Sequence, residues 1–208
     1  MPDQPQRNPA EREKPDLAAL LGSRICHDLI SPIGAISNGV ELLIMDGQVK
    51  GPEIALISES VSAANARIRF FRVAYGAAAG DHRIGRPEVL SVLSDVTNGG
   101  RLVIDWQSGT DLSRREVKLA FLLIQCLESA MPYGGRVTVT AASDHWTLQA
   151  QTRKLRISPE LWEVLSNPAA TAEIGPSQVH FLLAADEARR QTRQITADIR
   201  EEEVRMTF

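Results

Sequence analysis

Apolar side chains recur at every third or fourth position from residue 17 to residue 45, at Leu21, Ile25, Leu29, Ile33, Ile36, Val40 and Leu43. That spacing predicts an amphipathic helix with one buried stripe. Within it stands the hexad His27-Asp28-Leu29-Ile30-Ser31-Pro32. His27 lies off the stripe, and helical steps from it lead to Ser31, Gly34, Asn38 and Glu41. These small or polar residues leave room for another protein's surface, so the histidine is predicted to point outward. Pro32 has no N–H and its ring opposes the carbonyl of residue 28, so the helix is expected to bend just after the histidine. An exposed neutral imidazole is a nucleophile. Asp28 is placed to accept its Nδ1 proton, fixing the tautomer in which Nε2 presents a lone pair. A surface histidine taken alone is ordinarily a solvated side chain; the ordered hexad argues otherwise.

A second helix follows the turn signals Asp46-Gly47 and Gly51-Pro52. In it Ile54, Ile57, Val61, Ala64, Ile68, Phe71 and Tyr75 make a heptad seam, so the two helices are expected to form an antiparallel hairpin. Two helices cannot cover both of their own apolar stripes. Either two hairpins meet in a dimeric four-helix bundle, or the hairpin packs on the rest of its own chain. With the turn near residues 47 to 51, Arg69 and Arg72 come roughly level with His27, either as docking residues or as a solvated basic face.

Residues 1–15 are rich in proline and charge, without an apolar core, and read as a disordered leader rather than a signal peptide or membrane segment. The hairpin fills residues 16–80 and ends at Gly76-Ala77-Ala78-Ala79-Gly80-Asp81; a second domain is expected over residues 81–208. There Pro87–Val96 reads as a short helix, Arg101–Trp106 as a strand, and Ser113–Met131 as a helix apolar on much of its circumference. The turn Met131-Pro132-Tyr133-Gly134-Gly135 leads into an alternating strand, Arg136–Ala141, that pairs with Trp146–Gln151. Pro176–Arg190 suits a helix, and Gln194–Arg200 and Glu203–Phe208 close the chain as strands. The fold class is α+β, a helical hairpin plus an α/β sandwich.

The net charge of −3 comes with no basic run, which argues against nucleic acid and anionic membranes as direct partners. The most apolar later run, residues 119–127, is far shorter than the ~20 residues a bilayer-spanning helix needs, so a cytoplasmic protein is expected. Cys26 and Cys126 have no metal-binding spacing and are expected to be thiols. His82, His145 and His180 join no Cys or carboxylate cluster and receive no role. Trp106, Trp146 and Trp162 read as packing residues.

The hexad His27 to Pro32 resembles the H-box of two-component histidine kinases, whose histidine is the phosphoacceptor and whose neighbouring acid assists transfer. The wider run from Leu20 to Leu43 is closer still to the ChpT-type histidine phosphotransferases of alphaproteobacteria. The match is strongest over residues 17–80 and collinear beyond. This resemblance implies a homodimeric bundle. It also implies that His27 takes a phosphoryl group from the receiver domain of a hybrid histidine kinase upstream. Response regulators downstream, a cell-cycle regulator and a single-domain receiver, would then accept it. Ser31, Gly34, Asn38, Arg69 and Arg72 are the docking candidates.

The order of elements in the second domain resembles the ATP-binding (GHKL, or Bergerat) domain of histidine kinases, whose N-box helix runs into a Pro-Gly-Gly turn. Leu122 and Cys126 stand where that family carries asparagines, one of which binds the metal bridging the phosphates; neither offers a hard oxygen ligand. Thr152–Pro159 contains no Asp-x-Gly-x-Gly adenine site. Gly175-Pro176-Ser177 is all that remains of a glycine-rich lid, and its proline removes an N–H that a phosphate cradle uses. No cofactor is therefore expected on this chain, and Mg2+ is expected from the receiver's acidic pocket. The competing readings are a diverged ATP-dependent kinase, which predicts autophosphorylation, and a non-catalytic dimeric adaptor, which predicts a silent His27→Ala.

Overall fold

The computed structural model describes residues 52–208 apart from 77, 79–81, 143 and 144, together with residues 24, 25, 28, 29, 32–36, 38, 39 and 42. The predicted leader lies outside the described residues, as do Leu21, Val40 and Leu43 of the first stripe. Between 24 and 42 every described residue is helical, Pro32 among them. The predicted second helix is α1, Pro52–Ala74.

After α1 come β1 (Arg83–Gly85), α2 (Arg86–Thr97), β2 (Leu102–Gln107), β3 (Asp111–Ser113), α3 (Arg114–Ala130), β4 (Gly135–Ala142) and β5 (His145–Gln151). The chain closes with α4 (Pro159–Ser166), a 3-10 turn (Pro176–Gln178), α5 (Val179–Arg190), β6 (Thr196–Ile199) and β7 (Glu203–Thr207). Five strands make one sheet in the order β2-β4-β5-β7-β6. β2 and β4 pair in parallel from Leu102 opposite Gly135 to Gln107 opposite Thr140, while the other neighbours are antiparallel. β1 and β3 form a separate two-stranded pair.

Alternation sets the inner face of the sheet: Val137 and Val139, Trp146, Leu148 and Ala150, and Val204 and Met206 are buried, with Thr138, Gln149 and Arg205 between them turned the other way. α3 lies on that face and is buried continuously from Leu119 to Leu127, the expected result for a helix apolar on most of its circumference. The Gly-Gly pair entering β4 is required by close approach. Gly134 has φ +83°, a Cβ there would sit 2.3 Å from the Arg101 carbonyl oxygen, and the Gly135 N–H donates to that oxygen at 3.1 Å.

The far end of α1 is part of the same core. Phe70 stacks on Phe121 with centroids 4.8 Å apart, Phe121 meets Trp106 edge-on at 5.9 Å, Trp106 meets Trp146 at 5.5 Å, and Trp146 stacks on Phe208 at 5.6 Å. This aromatic chain runs from the hairpin through α3 to the last residue. Trp162 is buried too, edge-on to Phe181.

The heptad seam of α1 divides between two environments. Phe71 is buried and rests against Tyr75, whose hydroxyl donates to Gln125 Oε1 of α3 at 2.7 Å. Ile54, Val61 and Ile68, at the same heptad position, are 39%, 40% and 43% exposed. Ile33 of the first helix's stripe is open as well, whereas Ile25 packs against the main core.

Three elements escaped the sequence reading. β1 and β3 are too short for periodicity to show, and they hold together through Ile84 and Leu112. α4 had a readable signal in Ser158-Pro159-Glu160, a polar N-cap, a proline at the first helical position and an acid in the first turn. The predicted helix at residues 176–190 begins as the 3-10 turn, in which the Gln178 side-chain oxygen accepts from the Gly175 N–H at 3.2 Å.

Candidate functional site

His27 and Ser31 lie outside the described residues, whereas Arg24, Asp28, Pro32, Gly34 and Asn38 are described. Arg24 and Asp28, one helical turn apart, form an ion pair of 2.9 Å, with side chains only 16% and 11% exposed. The other Arg24 terminal nitrogen donates to the carbonyl of Ser177, in the 3-10 turn, at 3.0 Å. This face of the first helix therefore looks toward the second domain. Gly34 and Asn38 are exposed, and a Cβ built on Gly34 meets nothing within 4 Å.

Arg69 is tied across to α2: it pairs with Asp95 and donates to the Ser91 hydroxyl at 3.1 Å. Arg72 is exposed, and its carbonyl accepts from Arg114 at 3.3 Å. Between the first helix, α1 and the end of α2 runs a cleft of about 940 Å3, lined by Asp28, Pro32, Ala35, Glu59, Ser62 and Asn98 among others. The docking candidates thus separate into an open pair on the first helix, an arginine already engaged with α2, and an arginine facing solvent.

Leu122 and Cys126 are both completely buried. α5 packs along α3 through a Lys118–Glu187 ion pair of 3.2 Å and a 2.9 Å contact between the Ser129 hydroxyl and His180 Nε2. Burial drives the Cys126 thiol well above its ordinary pKa, keeping it protonated. It also pulls His180 down to about 3, helped by the positive charge of Arg24, so the ring is neutral at physiological pH. Burial likewise lifts Tyr75 to about 12, more than its bond to Gln125 and the Arg24 charge lower it. Among the described residues, no group of three or more His, Cys, Asp or Glu side chains is placed to hold a metal ion. No helix among them is long and apolar enough to cross a membrane.

From sequence, Arg24 and Gln125 had no role, Tyr75 stood in the heptad seam and His180 was assigned nothing. The i,i+4 spacing of Arg24 and Asp28 is a legible pairing signal, but the link to Ser177 spans 153 positions and leaves no local trace.

The chain is similar to known proteins over most of its length. The chain is 34% identical over 182 residues to protein phosphotransferase ChpT of Brucella abortus (strain 2308), a match that covers 83% of this chain and 87% of that protein. A solved structure of a bacterial phosphotransferase superposes with a TM-score of 0.80 at 31% identity, covering 96% of this chain and 98% of the other. The family model for the histidine phosphotransferase C-terminal domain matches residues 86–203, from the start of α2 into β7. With more than half of the chain inside that model and most of it inside both matches, the chain belongs to the histidine phosphotransferase family.

Proposed function

We propose that His27 takes a phosphoryl group from the phospho-aspartate of one receiver domain and passes it to the aspartate of another, in a homodimer whose second domain binds no nucleotide. In the first step the His27 Nε2 lone pair forms the N–P bond as the P–O bond to the aspartate breaks and the carboxylate leaves as an anion. The onward step reverses this on a second receiver. Such transfer depends mainly on positioning and on neutralising charge, the latter supplied by the receiver's Mg2+. The upstream receiver belongs to a hybrid histidine kinase, the downstream ones to response regulators, and a cytoplasmic location goes with these partners.

The observation that favours receiver-fed transfer over an ATP-fed reaction is the complete burial of Leu122 and Cys126 on the helix that α5 covers. Neither side chain carries a metal-binding oxygen, and neither is reachable. The dimer is supported by the exposure of Ile54, Val61 and Ile68 at a strict heptad spacing, a seam that an identical seam on a second copy would cover.

Incubating the protein with a phosphorylated receiver domain and, separately, with ATP and magnesium tests the reading. Label is expected on His27 from the receiver alone, with no shift in melting temperature on adding ATP, because a ligand stabilises only through affinity for the native state. Label from ATP would establish a kinase, and label from neither would leave an adaptor.

Gly34→Arg tests the docking face. The open space around Gly34 lets the fold accept the side chain, while the bulk occupies the surface a receiver helix must meet. The kcat/KM for transfer from a receiver is expected to fall by about 2 kcal/mol, or roughly thirtyfold, with the melting temperature unchanged. Unimpaired transfer with every receiver would move docking elsewhere, toward Asn38, Ser31 or Arg72.

A further inference from the structure

We infer that Arg24 is a positioning residue of the transfer site: it orients the Asp28 carboxylate beside His27, and it does so from the second domain, through the Ser177 carbonyl. The inference rests on the reading of His27 as phosphoacceptor. An arginine four residues before an aspartate is the less favourable order for a helical ion pair, so on an isolated helix this contact would be weak and mobile. Here the guanidinium has a second, fixed partner. One terminal nitrogen reaches Asp28 at 2.9 Å and the other the Ser177 oxygen at 3.0 Å, and both charged side chains are largely shielded from water. The planar fork of arginine suits such a bridge, because fixing one arm fixes the direction of the other.

The surroundings single out Asp28 as the charge that answers Arg24. Tyr75 and His180, whose titration Arg24 influences, are both neutral at physiological pH. The anchor is itself held. Ser177 sits in the turn Pro176–Gln178, closed by the Gly175 N–H to the Gln178 side-chain oxygen at 3.2 Å and by the Gln178 N–H to the Gly175 carbonyl at 3.0 Å. A glycine-rich phosphate lid turns N–H groups toward an anion. This turn presents a carbonyl to a cation, the opposite polarity. The segment is therefore suited to gripping the arginine that precedes the phosphoacceptor, which gives the second domain a part in transfer that needs no nucleotide.

The test uses the full-length protein and phosphoramidate, a small donor that bypasses receiver docking. On transfer, the N–P bond to His27 forms as the P–N bond of phosphoramidate breaks and ammonia leaves. Phosphohistidine formation is followed by 31P NMR for wild type, Arg24→Gln, Arg24→Ala, Asp28→Asn and the Arg24→Gln/Asp28→Asn double variant. Arg24→Gln keeps an amide N–H for the Ser177 carbonyl but lacks the charge, so it separates orientation from folding. Each single variant is expected to slow acceptance on the order of tenfold, a typical cost of misplacing a reacting group. The double variant should be no slower than the slower single, because Arg24 acts through Asp28. Independent, multiplying effects in the double variant, or a wild-type rate for Arg24→Gln, would overturn the inference. His27→Ala in the same assay tests the underlying reading: wild-type labelling there removes His27 as acceptor, whereas loss of label there with independent effects of Arg24 and Asp28 sinks the positioning role alone.

Discussion

Replacing His27 with alanine is expected to abolish phosphoryl acceptance from every receiver. On the proposed reading the change removes the imidazole nitrogen that forms the N–P bond, while the neighbouring Asp28 carboxylate is engaged with Arg24. Stability should hardly move, by about 0.5 kcal/mol or less, because His27 lies off the apolar stripe and makes no predicted contribution to the core. Two measurements on one preparation check this, label transfer from a phosphorylated receiver and sedimentation to compare the variant with the proposed dimer. Loss of label with loss of the dimer would mean that the histidine serves packing. Wild-type labelling would reassign the acceptor.

Phe121→Ala should cost about 3–5 kcal/mol of unfolding free energy, a large share of what a domain of this size possesses. The ring is fully buried and sits between Phe70 of α1 and Trp106 of β2. Its removal leaves a cavity where the hairpin, the central helix and the sheet meet, and rigid neighbours on each side limit how far the cavity can collapse. Denaturant titration provides the measurement. A loss below about 1 kcal/mol would show that α1 moves in to fill the gap. Phe70, Phe71, Val73 and Ala74 are buried in the same cluster as Phe121. Excising residues 82–208 would therefore expose apolar surface on the hairpin, which makes a point change at the junction the cleaner probe of what the second domain does.

Strands β4 and β5 were legible because alternation over several residues reports a half-buried sheet, and the turn before β4 because of its Gly-Gly pair; the approach of Gly134 to Arg101 came from the fold. The start of α1 was legible from Gly51-Pro52 and its end from the glycine-alanine run that begins at Gly76. The hexad marked the candidate acceptor because reactivity there depends on neighbours in sequence, an acid next door and a proline below. The roles of Leu122 and Cys126 were legible only by comparison with a family pattern; their complete burial came from the packing of α5 on α3.

Sequence alone determined which positions are apolar, at what period, and which residues of the hexad can do chemistry, since those properties reside in the side chains and their spacing. It did not determine what each apolar position faces. One heptad seam on α1 carries Phe71 and Tyr75 into the chain's own core while leaving Ile54, Val61 and Ile68 exposed. Periodicity records that a side chain seeks cover, not which surface provides it. The tertiary structure alone brought Ser177 to Arg24 and His180 to Ser129. Hydrogen bonds and ion pairs act over a few ångströms of space, and the folded backbone decides which distant residues come within that reach.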